Sequence, residues 1–363
     1  MNPLKARIID LIGATGPMSI ADYMALCLFD PQHGYYTTRE PFGRDGDFTT
    51  APEISQMFGE LIGVWLIHAW RALGRPDRPI FAEIGPGRGT LSRDIARAID
   101  RLEPALRGAS SFVLIEISPR LRAVQTATLD SAGGEFTWIE HVDELPAEHP
   151  VFIVGNEIFD AIPLRQYVMT EDGWRERMVA LDEDGSLLFA VGAATLQPEH
   201  LPRDLPTGKP GDIIELAPAR ESLLQRIAER IAHDGGAALF VDYGHLQSGF
   251  GDTLQALRAH AYDHPFANPG EADLTSHVDF AALAQVTQAA GLTPQTSTQG
   301  AFLLALGLLE RAGQLGARGD DALRDQLQAE VERLAGPDAM RTLFKVLAFS
   351  SPNALLAGFG PPA

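Results

Sequence analysis

The clearest periodic pattern in the chain runs from Ile54 to Leu66. Ile54, Met57, Phe58, Leu61, Ile62, Trp65 and Leu66 recur at three- and four-residue spacing, the stripe by which a helix faces a core. Thr50-Ala51-Pro52-Glu53 ahead of it reads as a capping box, with proline near the first helical position and an acid three residues after the threonine. Gly59 and Gly63 lie four apart on the same helix and leave room for another backbone or a ligand. Upstream, residues 3–30 predict two helices split by Gly13-Ala14-Thr15-Gly16-Pro17, with Ser19 capping the second. Residues 31–51, rich in glycine, proline and aromatics, read as an irregular loop.

From residue 79 the period changes. Apolar runs predict strands at 79–84, 111–117, 135–140, 150–155 and 236–242, with helices at 90–101, 119–130 and 218–233. Phe112-Val113-Leu114-Ile115 and Val151-Phe152-Ile153-Val154 are nearly continuous, as in parallel strands buried on both faces. Alternating β and α units imply an α/β fold with a doubly wound, mostly parallel sheet. Between 165 and 190, three strand-like segments are separated by Asp172-Gly173 and Asp184-Gly185, a β-meander inserted after the fourth strand. Residues 197–211 read as a proline-rich linker, 245–278 as a polar segment, and the chain after about 301 as mostly helical. The expected division is an N-terminal helical cap and loop at 1–78, a core at 79–164 and 211–300, the meander at 165–210, and C-terminal helices at 301–363.

Composition adds constraints. A chain of 363 residues with 45% apolar and 21% charged residues is ordinary for a globular protein. Its formal charge of −19 opposes a nucleic-acid partner and favours cationic segments rich in Arg or Lys. Cys27 is the single cysteine, which excludes an internal disulfide and suits a reducing compartment. The N-terminus lacks a signal-peptide core, and Ala301 to Leu309 is too short to span a bilayer, so a cytoplasmic protein with no membrane insertion is expected. His245, His260, His264 and His277 lack zinc-ligand spacing, so no metal is expected. No G-x-S-x-G elbow occurs, which leaves a serine hydrolase unsupported.

The densest chemistry lies in Phe81-Ala82-Glu83-Ile84-Gly85-Pro86-Gly87-Arg88-Gly89-Thr90-Leu91. This is a strand, a glycine turn and a helix start. Glycine lets the backbone approach a ligand, and the helix end offers unpaired N–H groups. A dinucleotide loop reads G-x-G-x-x-G and receives pyrophosphate. Here the third glycine comes one residue early, and Glu83 would repel phosphate while suiting an ammonium group. The spacing resembles the first motif of class I S-adenosylmethionine (SAM) methyltransferases. Glu116, ending the second strand, is placed to accept both hydroxyls of a ribose, and Asp143 an adenine amino group. The alternative for Glu116 is a surface carboxylate. Gly155-Asn156-Glu157-Ile158-Phe159-Asp160-Ala161-Ile162-Pro163 follows the fourth strand. Two readings stand side by side: Glu157 and Asp160 grip a guanidinium while Asn156 fixes the loop, or Asn156 caps a helix whose first turn carries the acids. Asp47, Glu53 and the turn Asp242-Tyr243-Gly244-His245 are the next candidates for catalytic acids.

Gly46 to Glu60, read Gly-Asp-Phe-Thr-Thr-Ala-Pro-Glu-Ile-Ser-Gln-Met-Phe-Gly-Glu, resembles the N-terminal signature of the MidA family. Gly85 to Thr90, Asn156 to Pro163, Asp242 to His245, Asp273 to Phe280 and Gln299-Gly300 extend the match over nearly the whole chain. These are SAM-dependent methyltransferases that include a mitochondrial complex I assembly factor. The resemblance implies a Rossmann-like class I methyltransferase core with N-terminal helices packed over the cofactor. The capping box with Gly59 and Gly63 further leads us to expect that the segment from Thr49 to Glu60, Thr50 and Glu53 included, closes over that cofactor. The resemblance also implies a protein substrate with a target arginine, on a core subunit of complex I. Methylation of a small molecule, or SAM-binding assembly without turnover, are the competing functions.

Overall fold

The structure is a computed structural model that describes residues 2–38, 50–202, 205–317, 319–337 and 339–360. The chain forms two compact units. One comprises Thr49–Ile158, Leu223–Leu246 and Leu283–Ala363; the other comprises Met1–Phe48, Phe159–Ser222 and Gln247–Ala282.

The first unit is built on β1 (Ile80–Ile84), β2 (Ser111–Ile115), β3 (Phe136–Ile139), β4 (Val151–Asn156), β5 (Gly236–His245), β6 (Gln295–Thr298) and β7 (Phe344–Ser351). They lie in the order β3-β2-β1-β4-β5-β7-β6. The first five are parallel, and β7 runs antiparallel to both of its neighbours. β1 is buried along its whole length, as a central parallel strand must be. The strand order reverses between β1 and β4, so the carboxyl ends of these two strands flank the switch point where such sheets bind ligands.

The helices α1 (Ala51–Ile54), α2 (Gln56–Ala72), α3 (Thr90–Leu102) and α4 (Pro119–Leu129) belong to this unit. Met57, Phe58, Leu61, Ile62 and Trp65 of α2 join Phe81, Leu91, Ile95, Phe112 and Phe152 in one core. A side chain on Gly59 or Gly63 would collide with α3: the added Cβ would lie 2.7 Å from Asp94 Cβ or 2.8 Å from Ala98 Cβ. These glycines therefore let two helices touch, and it is a helix rather than a ligand that approaches them.

One expectation is corrected here. The capping box does not form. Thr50 stands at the cap of α1 without a side-chain hydrogen bond, and Ser55, at φ −154°, ends α1 and caps α2 by accepting from Met57 N at 3.1 Å. The tertiary partners of Glu53, given below, outbid the local pairing. The C-terminal part is mostly helical, as expected, and adds one strand that the sequence pattern was not read to give. β7 is buried from Val346 to Ser350 and inserts between β5 and β6, because its apolar run fills a central position of the sheet.

The second unit has a core of Leu4, Ile8, Tyr23, Met24, Val179, Phe266 and Leu274 among others. Helices Pro3–Thr15 and Ile20–Phe29 are both present, and Ser19 Oγ accepts from Asp22 N at 3.0 Å to cap the second. Tyr35–Thr38 is a short helix within the expected loop. The strands Arg165–Thr170, Gly173–Leu181 and Leu187–Thr195 form the meander, joined by Met18–Ser19 and Ile213–Leu216. The polar segment after 245 folds in part into a three-stranded sheet of Gln255–Arg258, Ala261–Asp263 and Asp273–Thr275. Residues 247–282 share this second unit with the meander.

Candidate functional site

Two loops meet at the switch point of the first unit. The glycine loop leaves β1 with Gly85, Gly87 and Gly89 at φ +66°, +53° and +83°, conformations that side chains resist. Gly85 N continues the ladder by donating to Ile115 O at 3.2 Å, and Gly89 N closes the turn on Pro86 O at 2.7 Å. Gly89 caps α3 without a side chain, so the first N–H groups of that helix have no side-chain acceptor there.

The acid loop leaves β4. Glu157 N donates to Val241 O at 2.8 Å, which holds the loop to β5. Glu157 then takes φ +52°, a left-handed conformation rare outside glycine and costing about 1–2 kcal/mol. Its Oε1 accepts from Asn156 Nδ2 at 3.0 Å and from Ala51 N at 3.4 Å. Asn156 Oδ1 is buried with no hydrogen-bond partner. The loops touch, since a Cβ on Gly85 would lie 2.6 Å from Ile158 Cδ1. No helix follows Asn156, so the capping alternative loses the element it needed.

α1 lies against both loops. Ala51 N reaches Glu157, and the Glu53 carboxylate accepts from Thr90 Oγ1 and from Arg88 Nη1, the latter at 3.5 Å. Glu53 thus ties α1 to the glycine loop, and Thr50 precedes it at the cap. The family signature before Thr50, with Asp47, lies outside the described residues.

The other expected cofactor residues fall in three different settings. Glu83 is 4% exposed, and its carboxylate accepts from Ser92 Oγ of α3. Burial pushes it up to about 7 against the opposing hydrogen bonds from Ser92. It ties β1 to α3 beneath the loop rather than presenting its oxygens outward. Glu116 follows β2, with Oε1 accepting from Ser118 N at 2.7 Å and Oε2 from Gln125 Nε2 at 3.1 Å. Burial raises this carboxyl despite those bonds and the nearby Arg122. Ile117 N lies near as a further backbone donor, and a carboxylate with about four acceptor positions keeps capacity for a hydroxyl donor. Asp143 lies in a 3₁₀ turn, more than half exposed, and pairs with Arg226 at 2.9 Å. It is engaged at the surface.

Asp160 belongs to the second unit, whereas Asn156 and Glu157 belong to the first. Asp160 Oδ1 accepts from Ala161 N at 2.9 Å. Its carbonyl accepts from Arg220 Nη2 at 3.1 Å, and the buried Arg220 also donates to Ile162 O and His277 O, each at 3.0 Å. Arg220, which also donates to Ser276 Oγ, thus fixes this turn, and nothing in the sequence pattern had singled it out. Asp242 is fully buried within β5 and accepts from Tyr243 N at 2.9 Å. Among the described residues, no cluster of His, Cys, Asp and Glu is arranged to hold a metal, and no helix is long and apolar enough to cross a membrane.

The residues present fit SAM. Left-handed glycines, an uncapped helix start and a buried carboxylate with spare acceptor positions suit an uncharged ribose and a cationic amino acid better than a phosphate. Comparison with known proteins agrees. Residues 61–298 match the family described as "Putative S-adenosyl-L-methionine-dependent methyltransferase". A Danio rerio protein named protein arginine methyltransferase NDUFAF7, mitochondrial, is 36% identical over 94% of this chain and 84% of its own length. The Homo sapiens protein of that name is 31% identical over 99% and 86%. A Burkholderia thailandensis structure solved with S-adenosyl-homocysteine bound superposes with a TM-score of 0.84 at 28% identity, over 98% of this chain and 93% of that one. The chain belongs to the MidA-like family of SAM-dependent methyltransferases, and SAM is its cofactor.

Proposed function

We propose that this methyltransferase modifies an arginine nitrogen of a protein. The observation that carries the reading is the acid loop: a strained Glu157 beside a buried acceptor, Asn156 Oδ1, that no described donor satisfies. A buried polar atom without a partner is costly, and a guanidinium is a planar set of five donors that would satisfy it. SAM, when bound, supplies an electrophilic methyl group on its sulfonium. Glu157 accepts N–H bonds from the guanidinium, Asn156 Oδ1 accepts another, and together they orient the nitrogen for in-line attack. A guanidinium stays protonated in proteins, so its proton must leave as the C–N bond forms. Glu157 is the group that takes it. Asp160, offered by the sequence as the second acid, serves in this reading to hold the following turn.

The relatives' name, protein arginine methyltransferase, supports the substrate class. The charge of −19 suits an arginine-bearing partner. We carry over a core subunit of a complex I-type enzyme as the target and the cytoplasm as the setting. The test is labelled SAM added to lysate from a strain lacking the gene, with wild type and Glu157→Gln in parallel. Label on arginine of a protein, lost in the variant, is the expected result. Label on lysine or in the small-molecule fraction would overturn the reading.

A further inference from the structure

Gln125 is fully buried, yet it sits on the core stripe of α4 between Leu121 and Leu129. A carboxamide in such a place must be satisfied or it destabilises the fold. Both of its polar atoms have partners. Nε2 donates to Glu116 Oε2 at 3.1 Å and to Gly87 O at 2.9 Å, and Oε1 accepts from Trp138 Nε1 at 2.8 Å. Gln125 also backs the turn, since a Cβ on Gly89 would lie 3.4 Å from its Cα.

These bonds have a direction. The indole of Trp138 can only donate, so it fixes which end of the carboxamide is oxygen. The two amide hydrogens must then face the carbonyl of the glycine loop and the carboxylate that follows β2. One buried side chain locks the loop to the acid, and with Ser118 N it holds Glu116 in a single orientation.

Resting on the assignment of Glu116 to the ribose, we propose that Gln125 is the positioning residue that aims Glu116 at the two ribose hydroxyls of the cofactor, and that Trp138 sets its orientation. Without it, Glu116 is free to rotate about its bond to Ser118 N toward Arg122, and the grip on the diol is lost.

The experiment is calorimetric titration of wild type, Gln125→Leu and Trp138→Phe with S-adenosylhomocysteine and with its 2′-deoxy and 3′-deoxy analogues. Thermal unfolding checks that each variant is folded. In the wild type, each deoxy analogue should bind at least tenfold more weakly than S-adenosylhomocysteine. Gln125→Leu should bind S-adenosylhomocysteine at least tenfold more weakly, the size expected for a hydrogen bond to a charged group. The same variant should bind the deoxy analogues within about threefold of wild type, because the grip it weakens is already missing there. Trp138→Phe, which leaves Gln125 in place, should show the same selectivity at smaller size and decides the matter should Gln125→Leu fail to fold. Equal weakening toward all three ligands would make Gln125 a packing residue and overturn the proposal, as would unchanged binding of S-adenosylhomocysteine. A wild type that binds S-adenosylhomocysteine but does not discriminate the deoxy analogues would instead remove the assignment of Glu116.

Discussion

The glycine loop after β1 and the acid loop after β4 both turn through left-handed backbone, and they do so at different cost. In the glycine loop every positive φ falls on glycine. Its neighbours are satisfied: Gly87 O by Gln125, and Glu53 by Thr90 and Arg88. The acid loop places φ +52° on Glu157 and leaves Asn156 Oδ1 without a partner. In the first loop, Gly87 O and the Glu53 carboxylate are met within the protein. The second holds strain and an unmet acceptor, which is what a site completed by its substrate looks like.

The comparison breaks most completely at Gly85, where the loops touch. Gly85→Val adds a Cβ 2.6 Å from Ile158 Cδ1 at φ +66°, so both loops must move. Calorimetry should show S-adenosylhomocysteine affinity reduced by more than about 100-fold, with far-UV circular dichroism retained; the steric cost alone is about 1–2 kcal/mol. Retained affinity would mean that this turn does not cradle the cofactor.

Glu157→Gln separates the loops. It should leave S-adenosylhomocysteine affinity within about threefold while single-turnover methyl transfer falls by roughly 10²- to 10³-fold. An equal loss in both measurements would place Glu157 in cofactor binding.

Glu83 tests the closed nature of the first loop through pH. Its folded value of about 7 lies above the ordinary 4.5, so between these values the native state holds a proton that the unfolded chain has released. Its contribution to stability is therefore complete below about pH 4.5 and is lost as pH rises toward 7. Glu83→Gln does not titrate. Denaturant unfolding at pH 5, 6 and 7.5 should show the variant gaining on wild type with rising pH, by up to about 3 kcal/mol across the window. A constant difference would mean that the carboxyl is solvated.

Glu53→Gln weakens the tie between α1 and the glycine loop and should reduce S-adenosylhomocysteine affinity by about three- to tenfold, read by the same titration. Asp143→Asn should do least. Its partner Arg226 is half exposed, and exposed pairs contribute about 0–1 kcal/mol. Affinity within twofold of wild type is expected, and a tenfold loss would place Asp143 at the cofactor.

Much of this was legible because it is local. Strand, glycine turn and helix are adjacent in sequence, and Glu116 is announced by the apolar run before it. Glu53 was misread because its threonine spacing is a local signal, whereas its partners, Arg88 and Thr90, lie more than thirty residues away. The left-handed Glu157 left no mark, since nothing at that position invites positive φ. Gln125 did leave one: a glutamine at the centre of a Leu121–Leu129 stripe is a buried polar group that needs partners. β7 was passed over although Phe344-Lys345-Val346-Leu347-Ala348-Phe349 is the same kind of apolar run that revealed β4.

The place of β7 bears on how the protein is made. β5 is complete once residue 245 has been synthesised, but its edge away from β4 pairs with residues 344–351. During translation the nascent sheet therefore exposes a long, apolar, hydrogen-bond-hungry strand edge until about a hundred further residues have left the ribosome. Such an edge is a template for misassociation. The polypeptide will gain from a holding chaperone, or from rapid elongation over its last third, more than its parallel half alone would suggest.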